Sequence, residues 1–321
     1  MRGMMTRGIR MSLLVYVVVC LSVAVFVVAS AVRAWWYART PIHLRWELYP
    51  VPHEDPERVE HGGSMFEELD WWTHPQSRNL AGELRAMLTE ILFLKALYEF
   101  NRKLWYRSYP FHLGLYLLAG TGGLVLLAAS LVIFAPSILT GAPALVLHWT
   151  YVLTGAGGVL LCVLGSLGLL HQRLTDPDLQ GSTVPGDVFN LCFFIVALSL
   201  LAAGFLLKGP DAPGVVAVAV GLLTFDRGLS ISALWGSGII LCALLAAYIP
   251  LTHMSHFIGK YFTYHAVRWD DAPTALNSRI AQRLAEYLTY RPTWSAAHVG
   301  ADGKRTWADI ATTNPWEGGK K

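Results

Sequence analysis

Five of the eleven histidines lie where long uncharged segments of the chain meet charged ones. They are His112, His171, His253, His256 and His265. A histidine close to or inside a membrane is costly unless its ring has a partner, so these residues are candidates for a functional site. The chemistry that an imidazole offers there is metal ligation or proton exchange.

Two of these histidines are predicted to lie at the same depth. His112 follows Arg107, the last charge before one uncharged segment, and His256 precedes Lys260, the first charge after another. At a helical rise of about 1.5 Å per residue, each ring lies roughly 6–8 Å inside its flanking charge. The two segments run in opposite directions, so both bring an imidazole to one membrane level. Bis-imidazole ligation of haem b needs this arrangement, with Arg107 and Lys260 as a basic rim for the propionates.

Other interpretations of the histidines stay open at this point. His253 is one helical turn from His256 and is an alternative ligand. An interfacial position, with the ring among lipid headgroups, explains each histidine taken singly. Zinc is disfavoured, because no tight cluster of Cys, His and carboxylate residues lies inside the predicted spans. The four cysteines form neither CxxC nor CxxCH, so no iron–sulfur or covalent haem motif is present.

The elements that position these residues are predicted to be transmembrane helices. The chain is 54% hydrophobic and 15% charged, whereas soluble domains carry about 25% charged residues. A bilayer core needs roughly 20 apolar residues per helix. Five spans follow, at about 11–32, 110–134, 145–170, 188–207 and 232–256. The first is too long for a cleaved signal peptide and is interpreted as a retained anchor. Residues 214–225 are too short to span and indicate a re-entrant or interfacial segment.

The distribution of basic residues predicts the orientation. Twenty lysines and arginines lie in 33–109, 171–187 and 257–321, and five lie in the segments on the other side. The positive-inside rule therefore places the N-terminus outside and the C-terminus in the cytoplasm. The predicted fold is an all-α integral membrane bundle of five helices, with cytoplasmic surface helices and an extended C-terminal tail.

Four regions follow from this topology: an anchor (1–34), a cytoplasmic loop (35–109), a four-helix haem-binding core (110–256) and a partner-binding tail (257–321). Apolar residues at helical intervals predict one amphipathic helix over 79–108. Leu276, Ile280, Leu284 and Leu288 predict a second one. The rest of the tail lacks periodicity and is expected to fold against a partner protein. Four glycines of the third span, namely Gly155, Gly158, Gly165 and Gly168, suit close helix contacts or a cofactor.

Five motifs carry a resemblance to a known family. They are "YPFHLGLYLL" (109–118), "PLTHMSHFIGKYFTYHAVRWDD" (250–271), "GDVFN" (186–190), "TPIHLRWELYPVPHE" (40–54) and "TWADIATTNP" (306–315). From about residue 40 onwards the chain resembles the nitrate reductase gamma-subunit family of five-span b-type cytochromes. Within that family it looks most like the membrane cytochrome b subunits of sulfate-reduction and heterodisulfide-reductase-like complexes.

The resemblance implies a haem b near the cytoplasmic face, held by His112 and His256. The family's second histidine pair, for a haem nearer the outer face, falls on Gly122 and Gly238. One haem is therefore expected. The second is in doubt, with His148 and His171 as other conceivable ligands.

The resemblance further implies the quinone-reactive subunit of a multi-subunit oxidoreductase in a prokaryotic cytoplasmic membrane. Such subunits exchange electrons between the (mena)quinone pool and a cytoplasmic iron–sulfur partner of the heterodisulfide-reductase-like kind. Further membrane and periplasmic cytochrome subunits are also compatible with such a complex. We expect no nucleic-acid partner. Lys260, Tyr261 and His265 are candidates for the quinone site, although interfacial anchoring explains them equally well. His43 and Arg45 belong to a family-like motif with no chemistry that we can derive.

Two rival functions remain. One is a haem-free membrane anchor for a cytoplasmic redox enzyme, in which the histidines only reach the headgroup zone. The other is a small transporter, which is disfavoured because the spans show no inverted repeat and no deeply placed charge. An absorption spectrum of the purified protein distinguishes the cytochrome from the anchor.

Overall fold

The computed structural model of the chain describes residues 2–39, 57, 69–70, 73–74, 79–262, 276–292 and 302–314. The regular structure in these residues is entirely helical. The chain divides into two compact units, one formed by 1–34 with 84–258 and the other by 35–83 with 259–321. Each unit is described by itself below.

Five helices are long and apolar enough to cross a membrane, as predicted. They are α1, α4, α5, α7 and α9, the last together with the turn that follows it to Leu251. In chain order the helices of the described residues are α1 (Arg2–Arg39), α2 (Leu80–Phe93), α3 (Lys95–Phe100), α4 (Arg102–Phe134), α5 (Gly141–Thr175), α6 (Pro177–Gln180), α7 (Pro185–Leu206), α8 (Val215–Thr224), α9 (Ala233–Tyr248), α10 (His256–Phe262), α11 (Arg279–Leu288) and α12 (Trp307–Ala311). The all-α class is therefore confirmed for the described residues, and the five apolar helices indicate a multi-pass membrane protein.

The region before the second span differs from its prediction. Leu94 has a left-handed backbone, with φ of 51°, and it divides the predicted single helix over 79–108 into α2 and α3. A further break follows at Asn101, whose side-chain oxygen accepts the Leu104 N–H at 3.0 Å and caps α4. The second span consequently begins at Arg102, before the predicted start. One continuous surface helix was the wrong prediction.

The first span packs beside the fifth and runs parallel to it. Near its start, the Ser12 hydroxyl donates to the Leu229 carbonyl at 2.6 Å and accepts the Ile231 N–H at 3.2 Å. Near its end, the Arg33 side chain donates to the Pro250 carbonyl. Leu229 and Ile231 precede α9 and Pro250 follows it, so α1 and α9 point the same way.

The glycines of α5 allow a very close approach of α4. All four predicted contact glycines face α4 side chains or backbone. A Cβ at Gly165 would lie 2.5 Å from the Phe111 nitrogen, and one at Gly158 would lie 2.9 Å from Leu118 Cγ. The packing interpretation is confirmed, since this face of α5 has no room for a cofactor.

The short apolar segment after the fourth span forms the ten-residue helix α8. It contributes Val218 to a buried cluster with Val15, Tyr16, Ile231 and Trp235. The structure confirms a helix too short to span and shows that it packs into the bundle.

The second unit contains the predicted amphipathic helix in shortened form. α11 begins at Arg279, and Ser278 caps it by accepting the Ala281 N–H at 3.1 Å. Leu276 lies before the helix and is 93% exposed. The apolar set at four-residue spacing is therefore Ile280, Leu284 and Leu288 only, and the inclusion of Leu276 was wrong.

Candidate functional site

The structure brings the His112 and His256 rings together. Their centroids are 6.2 Å apart and their planes are inclined by 65°. His112 is half-buried on α4, and His256 is the exposed first residue of α10. The two histidines selected for equal depth are thus direct neighbours, although their segments are far apart in sequence.

The path of the chain to His256 is not the predicted straight helix. α9 ends at Tyr248, and two 3-10 turns, Ile249–Leu251 and His253–Ser255, precede α10. Pro250 lies in the first turn and is fully buried. Because proline has no N–H and its ring collides with the preceding helical turn, it ends regular helix here. A broken turn therefore presents His256 to α4.

The hydrogen bond made by His112 fixes the proton on its ring. Its Nδ1 lies 2.7 Å from the Ser108 carbonyl oxygen, and a carbonyl can only accept. Nδ1 must therefore carry a hydrogen, and in the neutral ring Nε2 then has the lone pair that a metal requires. Histidine ligands in metalloproteins generally donate their second N–H to a carbonyl or carboxylate in this way.

Apolar side chains surround the pair on the bundle side. Phe111 meets the His112 ring edge-on at 5.3 Å and the Phe194 ring at 4.9 Å. Phe194 belongs to a buried cluster against which Met254 packs. Phe26 of α1 stacks on Phe257 at 6.4 Å, with 3° between the planes, and so holds the start of α10. These contacts pack apolar side chains against the His112 ring and against the residue that follows His256.

The residues present fit a bis-imidazole haem. Two imidazoles on opposite sides of one metal, with bonds of about 2.0 Å, have ring centroids roughly 6 Å apart. Ordinary aromatic pairs also have ring centroids about 4.5–7 Å apart, so the distance alone does not indicate a metal site. The hydrogen on Nδ1 of His112 is the second observation that supports one. Within the described part of the chain, no three His, Cys, Asp or Glu side chains converge as a metal site. A haem iron needs only two protein ligands, because the porphyrin nitrogens fill the other positions.

His253 faces a different neighbour from His256. Its Nε2 lies 3.3 Å from Asp187 Oδ1 and 3.4 Å from Asn190 Nδ2, both at the start of α7. His256, in contrast, contacts His112. Of the two alternatives left open by the sequence, the structure places only His256 against the α4 histidine.

The Arg107 side chain contacts α5 and its own helix. Its side chain lies over Gly168 of α5, with Cγ 3.3 Å from where a Cβ would be, and Nη1 donates to the Lys103 carbonyl at 2.7 Å. Five helical residues separate it from His112, which is about 140° around the helix axis. Its predicted role at a propionate rim stays a prediction.

An ion pair joins the start of α4 to the residue that follows α5. Lys103 Nζ donates to Asp176 Oδ2 at 2.7 Å. This hydrogen bond, followed by one from Gln172, lowers the pKa of the Asp176 carboxyl below its usual value. The carboxylate stays ionised at neutral pH and ties the start of α4 to the end of α5.

The quinone-site candidates lie in the second unit or outside the described residues. Lys260 is half-buried, and Tyr261 is 50% exposed with its ring edge-on to Phe262 at 5.3 Å. His265, like His43 and Arg45, lies outside the described residues. Their part in a site stays a prediction.

Gly122 and Gly238, the two positions expected for a second histidine pair, differ in the space around them. Around Gly122 there is open space, whereas a Cβ at Gly238 would lie 2.6 Å from Leu201 Cα. His148 and His171 are 23 positions apart on α5, or roughly 35 Å, so they cannot share one haem. The His148 Nδ1 lies 2.7 Å from the Tyr151 hydroxyl instead.

Sequence reasoning missed the polar residues that hold the broken turn. Asp187 contacts His253, and its second oxygen accepts Arg173 Nη1 at 2.9 Å. Both Asp187 and Asn190 lie in "GDVFN", a motif noted only for its resemblance. The available signal was a carboxylate at the start of an apolar span, which needs a partner.

Comparison of the chain with protein-family models, with curated proteins and with solved structures returns no match.

Proposed function

We propose that the chain is the membrane cytochrome b subunit of a multi-subunit oxidoreductase. It exchanges electrons between the quinone pool and a cytoplasmic iron–sulfur partner, with haem b between α4 and α10. His112 and His256 are the axial ligands. The subunit is quinone-reactive but not a complete enzyme alone.

One observation carries this proposal: the His112 and His256 rings are 6.2 Å apart, and the Ser108 carbonyl holds Nδ1 of His112 at 2.7 Å. The anchor alternative explains a histidine at a membrane surface. It gives no reason why two histidines from distant segments meet, or why one is fixed in a metal-binding tautomer.

Each residue around the pair has a task in this proposal. Ser108 orients the His112 imidazole and raises its basicity as a ligand. Phe111 and Phe194 keep water away from that ring, and Phe26 holds the segment that begins with His256. When bound, the haem supplies a one-electron centre whose potential depends on these ligands and on burial. Lys260, Tyr261 and His265 are the proposed quinone-side residues, which would bind a headgroup and accept protons.

A spectrum of the purified protein tests the proposal. After expression with adequate haem supply, we expect a reduced-minus-oxidised alpha band and about one pyridine-extractable haem b per chain. No haem under these conditions favours the anchor. Two haems per chain would contradict the single-site proposal.

We also propose that the N-terminus is outside and the C-terminus in the cytoplasm. Support comes from the excess of lysine and arginine on one set of loops, twenty against five. Ser137 and Lys304 are both exposed outside the spans, on segments predicted to face opposite sides.

Cysteine labelling in whole cells checks this topology. A membrane-impermeant maleimide is expected to label Ser137→Cys in intact cells, and Lys304→Cys only after permeabilisation. The unsubstituted chain is the background control, since its four cysteines lie within the spanning helices. The reverse labelling pattern would invert the topology.

A further inference from the structure

The turn that carries His256 is held from two sides by other helices. From α1, Arg33 donates to the carbonyl of the buried Pro250. From α7, Asp187 Oδ1 lies 3.3 Å from His253 Nε2. Residues 249–256 consist of two 3-10 turns and the first residue of α10, so no continuous helix fixes their direction. Local hydrogen bonds of Thr252 with Ile249, Met254 and Ser255 and the contacts with other helices do so instead.

The Asp187 carboxylate is itself held in place by neighbouring groups. Its side chain is only 12% exposed, and it is held by two further contacts. Oδ2 accepts Arg173 Nη1 at 2.9 Å and the Val184 N–H at 3.2 Å, which caps α7. A carboxylate with its own position fixed from two helices can in turn fix a third segment.

The chemistry of the contact defines the His253 tautomer. A carboxylate oxygen only accepts, so Nε2 of His253 must carry the hydrogen that points to Asp187. The Asn190 Nδ2, also a donor, then cannot donate to this nitrogen, although it lies 3.4 Å away. Asn190 Oδ1 is buried without a hydrogen-bond partner in its present placement. A half-turn of the amide gives His253 a second acceptor and gives that oxygen a donor, and it moves the Asn190 NH2 group into the buried position.

We propose that Asp187 is a positioning residue: through His253, it holds the turn 249–256 in the conformation that presents His256 to His112. The inference rests on the proposed function in so far as its consequence is read out on haem. It assigns a role to "GDVFN", which meets "PLTHMSH" here across the start of α7 and the end of the fifth span.

Two variants test the tether, because each breaks it differently. Asp187→Asn keeps an acceptor for the α7 cap but removes the charge, and His253→Ala leaves Asp187 with Arg173 and the cap. In haem-free protein, we expect amides of 249–256 to exchange with deuterium at least about tenfold faster in both variants. Asp178→Asn is the matched control, since it removes an exposed carboxylate from the first turn of α6.

Haem retention tests the consequence. Transfer of haem to an excess of an apoprotein scavenger should be about ten to one hundred times faster in both variants, as for other residues that orient metal ligands. The low-spin electron paramagnetic resonance spectrum should shift, because the angle of the His256 ring changes. The double variant should be no worse than the worse single one, since both act through one contact.

The outcomes separate the tether from the proposed function. If the unsubstituted chain binds no haem, the proposed function fails, while the exchange experiment still decides whether Asp187 fixes the turn. Unchanged exchange in 249–256 overturns the tether. So does faster exchange confined to the start of α7, or additive loss in the double variant, because Asp187 would then act only on its own helix.

Discussion

Replacement of His112 or of His256 by alanine is expected to remove the haem altogether. Each change deletes one of the two proposed axial ligands, and His253 contacts Asp187, so we do not expect it to replace His256. We expect less than about one tenth of the unsubstituted haem content in each variant. The measurement is the pyridine haemochrome per mole of purified chain.

The control variants are His148→Ala and His171→Ala. Both remove an exposed histidine from α5 and leave the pair intact, so the haem content should not change. The thermal unfolding temperature of haem-free protein separates ligand loss from misfolding. Full haem content in either His112→Ala or His256→Ala would reject the assignment of that ligand.

The spans could be predicted because apolar length is a property of the sequence alone. Each of the five predicted spans corresponds to a long helix. Their ends could not be placed, since these depend on single side chains. Asn101 begins α4 early through one hydrogen bond, and Leu94 breaks the preceding helix through its backbone conformation. Hydrophobic periodicity carries no information on either.

The histidine pair was predictable from depth, but its environment was not. Counting residues from the flanking charges placed His112 and His256 at one level, and their rings meet. The predicted fifth span assumed a regular helix over 232–256, which Pro250 prevents. Asp187 could not be paired with His253, because that contact depends on how α7 packs against the end of the fifth span.

Substitution of Gly238 is expected to disrupt the bundle and to provide no second haem site. A Cβ at this position would lie 2.6 Å from Leu201 Cα and 2.7 Å from its nitrogen. These are backbone atoms of α7, so the helices must separate rather than a side chain rotate. Such overpacking costs about 1–3 kcal/mol or more. We expect Gly238→Ala to lower the thermal unfolding temperature clearly.

Gly122 is the matched control, because nothing lies within 4 Å of a Cβ there. Gly122→Ala should be neutral or stabilising, since alanine favours helix over glycine by roughly 0.5–1 kcal/mol. The double variant Gly122→His with Gly238→His places a histidine at both positions, yet the α7 backbone occupies the space beside residue 238. It should therefore yield no additional haem and poor recovery of folded protein. A stable double variant with one more haem per chain than the unsubstituted protein would show that α7 and α9 can separate, and that only the missing histidines prevent a second site.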